Sequence, residues 1–114
     1  SYAPKSKKAD ACIDWNDPAQ NLERMIRAYL PWPVAYTEKG AHRLRLFKAK
    51  TKERHSPQTK PGTITATSNQ GIDIQTGSGT LCITEWQLPG KKVTLASQDH
   101  HHLPAWLQPG ASLT

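Results

Sequence analysis

The 114 residues amount to a single domain, and with 36% of them hydrophobic there is apolar material for one modest core and not for two. A net charge of +6 and a pI of about 9.6 point to a polyanionic partner or an acidic surface. No apolar run approaches the ~20 residues of a membrane-spanning helix and no signal peptide is visible, so no membrane role is expected and the cytoplasm is the expected compartment.

Residues 1–12, SYAPKSKKADAC, are polar and basic and have no hydrophobic period. They read as an extended arm or linker, ahead of a domain over 13–114. The chain starts at Ser1 rather than Met, and a piece of something longer is expected. Asn16-Asp17-Pro18 then opens a helix. Asp17 is placed to accept from the amides of the first turn, Pro18 stands where its missing N–H costs nothing, and Gln20 completes a capping-box spacing. Leu22, Met25, Ile26 and Tyr29 follow helical spacing, and Pro31 and Pro33 stop the run. The expected helix is 18–30, with Arg24 and Arg27 off its apolar stripe.

Beyond the helix the texture changes to short strands. The pattern predicts strands over 34–38, 42–50, 63–67, 72–76 and 80–88. Turns are expected at Lys39-Gly40, Asn69-Gln70-Gly71, Gly77-Ser78-Gly79 and Pro89-Gly90, with a basic loop over 51–61. In the second strand Leu44 and Leu46 share one face, and Arg43, Arg45 and Phe47 the other. In the fifth, Leu81 and Ile83 oppose Cys82, Trp86 and Leu88. The fold class is therefore mainly β with one α-helix: a small OB-like (Greek-key) barrel of about five strands, with an open sheet packed on the helix as the alternative. Leu95–His102 is expected to form a short helical turn, and Trp106 and Leu107 to fold the tail back onto the domain.

No catalytic constellation is found: no Walker loop, no GxGxxG, no GxSxG and no close carboxylate pair. Cys12 and Cys82 stand 70 positions apart without metal spacing, and are expected to be reduced thiols. Asp99 with His100-His101-His102 reads as a polar loop, because consecutive side chains diverge; no metal site is expected. The cations are more informative. Residues 1–60 hold 13 Lys/Arg against 6 Asp/Glu, a net of +7, while residues 61–114 hold 2 against 3. Arg43, Arg45, Lys48, Lys50, Lys52 and Arg54 crowd the second strand and its exit. Lys5, Lys7 and Lys8 sit in the arm, and Lys91-Lys92 follow a Pro-Gly turn. Long cationic side chains on a fixed surface suit phosphate oxygens. Trp32 and Trp86 are expected in the core.

The motif order IDW (13–15), IRA with PWP at 31–33, PGTI (61–64), TGSG (76–79) and PGKK (89–92) resembles the C-terminal domain of bacterial methionyl-tRNA formyltransferases over about residues 2–99. In that family an N-terminal Rossmann-type domain transfers a formyl group from 10-formyltetrahydrofolate to the methionine of initiator Met-tRNA, and the C-terminal domain, an OB-like barrel, presents a positive surface to the tRNA. The resemblance implies tRNA binding here in translation initiation, with the N-terminal formyltransferase domain as a partner. It implies no catalytic residue and no cofactor in this chain, because the family's catalytic residues and folate pocket lie in that other domain. Lys5, Lys7 and Lys8 match the interdomain linker, Lys91 and Lys92 the PGKK turn, and Arg43, Arg45, Lys48 and Lys50 a strand the family often makes basic. Pro31-Trp32-Pro33 matches a motif that turns the chain from helix into barrel. The sequence departs from the family after Asp99. The alternatives are an accessory domain of another formyltransferase, of sugar or formyltetrahydrofolate type, and a free-standing OB-type nucleic-acid binder. A monomer is expected.

Overall fold

The computed structural model describes residues 11–114; Lys5, Lys7 and Lys8 lie outside the described residues. The mainly β, one-helix class is what the structure has. Helix α1 spans Ala19–Ala28, followed by β1 (Tyr36–Lys39), β2 (His42–Lys52), β3 (Ile64–Ser68), β4 (Gly71–Gln75), β5 (Thr80–Gln87) and a two-residue β6 (Thr94–Leu95). The strands form one antiparallel sheet in the order β1-β2-β5-β4-β3, with β6 paired to β5. No ladder joins β1 to β3, so the sheet is not a closed barrel. The C-terminal segment stands at that gap. Gly110 N–H donates to Ile64 O, Ile64 N–H to Ala111 O and Leu113 N–H to Gly62 O. On the far side Lys39 Nζ reaches Thr114 O at 2.6 Å. Leu107 and Leu113 are buried beneath this segment, so the tail folds back as its Trp106-Leu107 pair implied.

The core lies between α1 and the inner face of the sheet. Ala19, Leu22, Ile26 and Tyr29 form one stripe at helical spacing and are buried against Leu44, Leu46, Ile64, Ile72, Ile74, Leu81, Ile83 and Trp86. Burying each of the larger side chains contributes on the order of 1.5–3 kcal/mol. Trp15 ties the approach to the helix into this core: its indole N–H donates to Thr37 Oγ1 at 2.9 Å. Ala11 is fully buried and Cys12 bridges Tyr36, so the body of the domain is engaged from Ala11 onward.

The helix start differs from expectation. Pro18 is the N-cap, with extended backbone, and no side chain caps the helix. Asp17 does not serve as the cap because a loop does the work. Ala19 N–H donates to Ser78 O at 3.0 Å, and Gly77 N–H donates to Trp15 O and Asp17 O. The helix N-terminus is thus seated against the β4–β5 turn. That docking requires a glycine: a Cβ at Gly77 would come within van der Waals overlap of the Asn16 carbonyl. Downstream, the turn expected over Leu95–His102 is confined to Leu95–Asp99, with Gln98 and Asp99 N–H both donating to Leu95 O, and does not run on through the histidines.

Replacing Gly77 with Ala is expected to destabilise the fold by about 1–3 kcal/mol through backbone overlap. Gly40→Ala has open space around it but a φ of +61°, and is expected to cost on the order of 1–2 kcal/mol for left-handed backbone alone. Urea denaturation of both variants checks this. An undisturbed midpoint for Gly77→Ala would mean that the helix start is not held by that turn.

Candidate nucleic-acid interface

In a regular strand Arg43 and Arg45 would point to one side and Lys48 and Lys50 to the other, since side chains alternate. The structure breaks that alternation. In the β2–β5 ladder Leu46 pairs with Trp86, Lys48 with Glu85 and Ala49 with Ile83. Phe47 is therefore an extra residue on β2 and Thr84 an extra residue on β5. A one-residue slip moves every later side chain to the other face. Here both strands slip together, so the faces stay matched. Leu44 and Leu46 point inward before the break and half-buried Ala49 after it, while Ile83 and Trp86 both reach the core. Trp86 is buried as expected, but it does not share a face with Cys82; the extra Thr84 separates them.

The same break gathers cations. Arg43, Arg45, Lys48 and Lys50 all fall on the outer face, with Lys48 and Lys50 exposed and Arg45 half-buried. The four are not equivalent. Arg43 is bound twice to Glu38 Oε2, at 2.7 and 2.9 Å, and its guanidinium lies 4.2 Å from the Tyr36 ring centroid. The bond to Glu38 raises its pKa further above the ordinary arginine value. Lys52, one alternation beyond Lys50, is spent on Asp73 at 2.9 Å. Among the described residues Arg45, Lys48, Lys50, Lys91 and Lys92 have no carboxylate partner.

Gln87 joins the strand cations to the Lys91-Lys92 turn, and no feature of the sequence singled it out. Arg45 Nη1 donates to Gln87 Oε1 at 2.7 Å, and Gln87 Nε2 donates to Lys91 O at 2.8 Å. The turn is closed by Lys91 N–H to Leu88 O, with Gly90 at φ +75°. Both lysines are exposed on it and border a hollow of about 250 Å³ lined by Trp86, Leu88, Thr94, Asp99, His102 and Leu103.

Trp32 departs from the core expectation: it is 55% exposed. A tryptophan bracketed by prolines has no place in either a helix or a central strand, and that signal was available in the sequence. Trp106 stacks on His42, with ring centroids 5.0 Å apart.

The three histidines do not converge. His100 Nδ1 faces Ala96 O, and His102 Nδ1 bonds Asp99 Oδ1 at 2.9 Å, which lowers the Asp99 pKa. Among the described residues no group of three or more His, Cys, Asp or Glu side chains is placed to hold a metal ion. Both cysteines are free. Cys12 is exposed, with its pKa raised mainly by partial burial and next by Glu38. Cys82 is buried, and burial and the Asp73 carboxylate push its thiol up to about 12. Among the described residues no helix is long and apolar enough to cross a membrane.

The described residues form a mainly β domain with one helix whose outer face carries cations without an ion-pair partner. Its sequence over residues 5–99 matches the family model described as formyl transferase, C-terminal domain, and the chain belongs to that family. It is 46% identical over 99 residues to the methionyl-tRNA formyltransferase of Nitrosococcus oceani, a match covering 87% of this chain and 30% of that protein. It is 44% identical over 92 residues to the methionyl-tRNA formyltransferase of Marinobacter nauticus, covering 81% of this chain and 29% of that protein. The chain thus spans about 30% of the length of the curated relatives it matches. Among solved structures, HypX from Aquifex aeolicus in complex with tetrahydrofolic acid superposes with a TM-score of 0.69 at 22% identity, over 84% of this chain and 17% of that one. At that identity the likeness is one of fold.

The thiols provide a test of the outer face. Near pH 8 an aromatic disulfide reagent is expected to modify Cys12 in the folded protein and to reach Cys82 only on unfolding. Because the folded state holds the Cys82 proton more tightly than the unfolded chain, this contribution to stability is complete below about pH 9 and is lost as the pH rises through about 12. Cys82→Ala is expected to flatten that alkaline limb in a series of denaturation midpoints; an unchanged limb would place the thiol outside the buried Asp73 contact.

Proposed function

We propose that this domain binds initiator Met-tRNA and orients it toward the formyltransferase domain of a parent methionyl-tRNA formyltransferase, in translation initiation in the bacterial cytoplasm. The observation that carries the reading is the row of Arg45, Lys48 and Lys50 on one face, joined through Gln87 to Lys91 and Lys92, none of them in a close ion pair among the described residues, with Glu85 opposite Lys48 as the one carboxylate in the row. Such a row suits phosphate oxygens, which fix position without reading sequence. The names of the relatives support the choice of tRNA over other polyanions. In this reading Arg43 contributes less than its neighbours, because Glu38 already holds it. Lys5, Lys7 and Lys8, outside the described residues, are included in the reading on the family resemblance alone. The domain acts as a monomer, and 10-formyltetrahydrofolate and formyl transfer belong to the other domain.

Retention of initiator tRNA on filters is expected to fall steeply with salt, by about 0.7–0.9 log units in affinity per log unit of salt for each phosphate neutralised. Lys48→Ala with Lys50→Ala, and Lys91→Ala with Lys92→Ala, are each expected to flatten that slope by about 1.4–1.8 with the thermal midpoint unchanged. Salt-independent retention, or none at low salt, would overturn the reading. A large loss of stability in either double variant would make those lysines structural.

A further inference from the structure

Trp32, Pro33, Val34, Tyr36, Arg43 and Arg45 line a hollow of about 230 Å³ at the end of the cationic row. We propose that this hollow receives one unpaired nucleotide of the bound RNA, its base stacked on the Trp32 indole and its phosphate on the Arg45 guanidinium. This deepens the RNA reading above and rests on it.

The four tryptophans differ in what they touch. Trp15 donates to Thr37 and is buried, Trp86 is enclosed by the core, and Trp106 already stacks on His42. Trp32 alone of the four is exposed, and among the described residues it is the most exposed of the large hydrophobic side chains. It is also held stiffly. Pro31 and Pro33 fix the backbone on either side, and Val34 N–H closes the segment on Tyr29 O at 3.0 Å. Val34 itself adopts a φ of +76°, an outlier for a β-branched residue, and strained backbone of this kind collects at ligand clamps. A pre-positioned ring loses little freedom when a partner stacks on it.

Charge and shape select the occupant. The hollow carries two guanidinium groups. Glu38 neutralises Arg43, leaving Arg45 as the uncompensated cation. Arg45 is aimed by Gln87 on one side and by the Pro33 carbonyl at 3.5 Å on the other. An apolar peptide would leave that charge buried and unpaired, whereas a nucleotide supplies both a flat ring and an anion. The space is below the ~300 Å³ of a drug-sized site and fits one planar group rather than a base pair. The base must be unpaired, because a base within a duplex has both faces covered by its neighbours. Lys48 and Lys50 continue the face beyond Arg45, where the adjoining phosphates of the same strand would lie.

The test compares the protein with Trp32→Ala and Trp32→Phe, using a short single-stranded RNA and a blunt duplex of equal length as probes at low salt. Intrinsic fluorescence and affinity are the readouts. The single strand is expected to quench the fluorescence of the unmodified protein. Trp32→Ala is expected to weaken single-strand binding about 5- to 150-fold, with duplex binding changed less than about 2-fold. Trp32→Phe is expected to recover most of the loss. Circular dichroism should show all three proteins folded, since the side chain is exposed. Wild-type affinity in Trp32→Ala, an equal loss for both RNAs, or no recovery by Phe overturns the stacking site. Lys48→Ala with Lys50→Ala separates this failure from that of the broader reading: if the lysine variant still weakens binding, the cationic face stands and only the Trp32 site falls. If the unmodified protein binds neither RNA, both fall, and the exposed Trp32 faces protein instead.

Discussion

The paired extra residues Phe47 and Thr84 set the layout of the domain. A single slipped residue in one strand would turn half of that strand's apolar side chains to water. Slipping both strands of the longest ladder keeps Leu44, Leu46 and Ala49 on the same side as Ile83 and Trp86. The core stays continuous, and the outer side of β2 becomes cationic along its length. The local kink that a bulge brings also falls where the Arg45 guanidinium rests 5.4 Å from the Phe47 ring, at the joint between the two halves of that row.

Around this ladder the irregular parts of the chain are fastened by backbone groups rather than by side-chain caps. The start of α1 is satisfied by the Gly77–Gly79 turn, and the edge of β3 by the tail over 110–113. Buried polar side chains complete the scheme. Gln75, almost wholly enclosed, donates to Thr76 O and Gly79 O and meets His55 Nδ1 at 2.7 Å, while its Oε1 accepts from Ser56 N–H. The basic loop after β2 is thereby anchored, with Thr80 Oγ1 donating to Arg54 O and Gly79 N–H to His55 Nδ1 as further ties, and the buried amide keeps its partners. Thr84 Oγ1, at the register break, is the exception: it is buried with no hydrogen-bond partner among the described residues.

The charge distribution divides along the same lines. Carboxylates are placed against Arg27, Arg43 and Lys52; of the described cations left without an ion pair, Arg45, Lys48 and Lys50 lie on the outer face of β2 and Lys91 and Lys92 on the turn tied to it by Gln87, while Arg24, Lys39, Arg54 and Lys60 lie elsewhere. Exposed ion pairs such as Arg43–Glu38 add little to stability. Their consequence here is to take Arg43 and Lys52 out of the set of unpaired cations on β2, leaving Arg45, Lys48 and Lys50.

The sequence by itself determined the elements whose signals are local. The helix follows from the spacing of Leu22, Met25, Ile26 and Tyr29, the turns from Gly and Pro, and the basic character from the count of Lys and Arg; the motif order pointed to the family. Only the tertiary structure decided which face each side chain takes. Strand alternation counts residues along one chain, whereas the register break at Phe47 and Thr84 is a property of two strands packed against one core. The cap at α1 differs from expectation for the same reason: Asp17 is the obvious local acceptor, but Ser78, sixty residues on, is the neighbour that folding supplies. The general tendency of aromatic rings to bury places Trp32 in the core, whereas the side chain, set between two prolines outside helix and sheet, is 55% exposed. The candidate interface is thus half legible in sequence: its residue types are local, while their convergence on one side depends on contacts between distant strands.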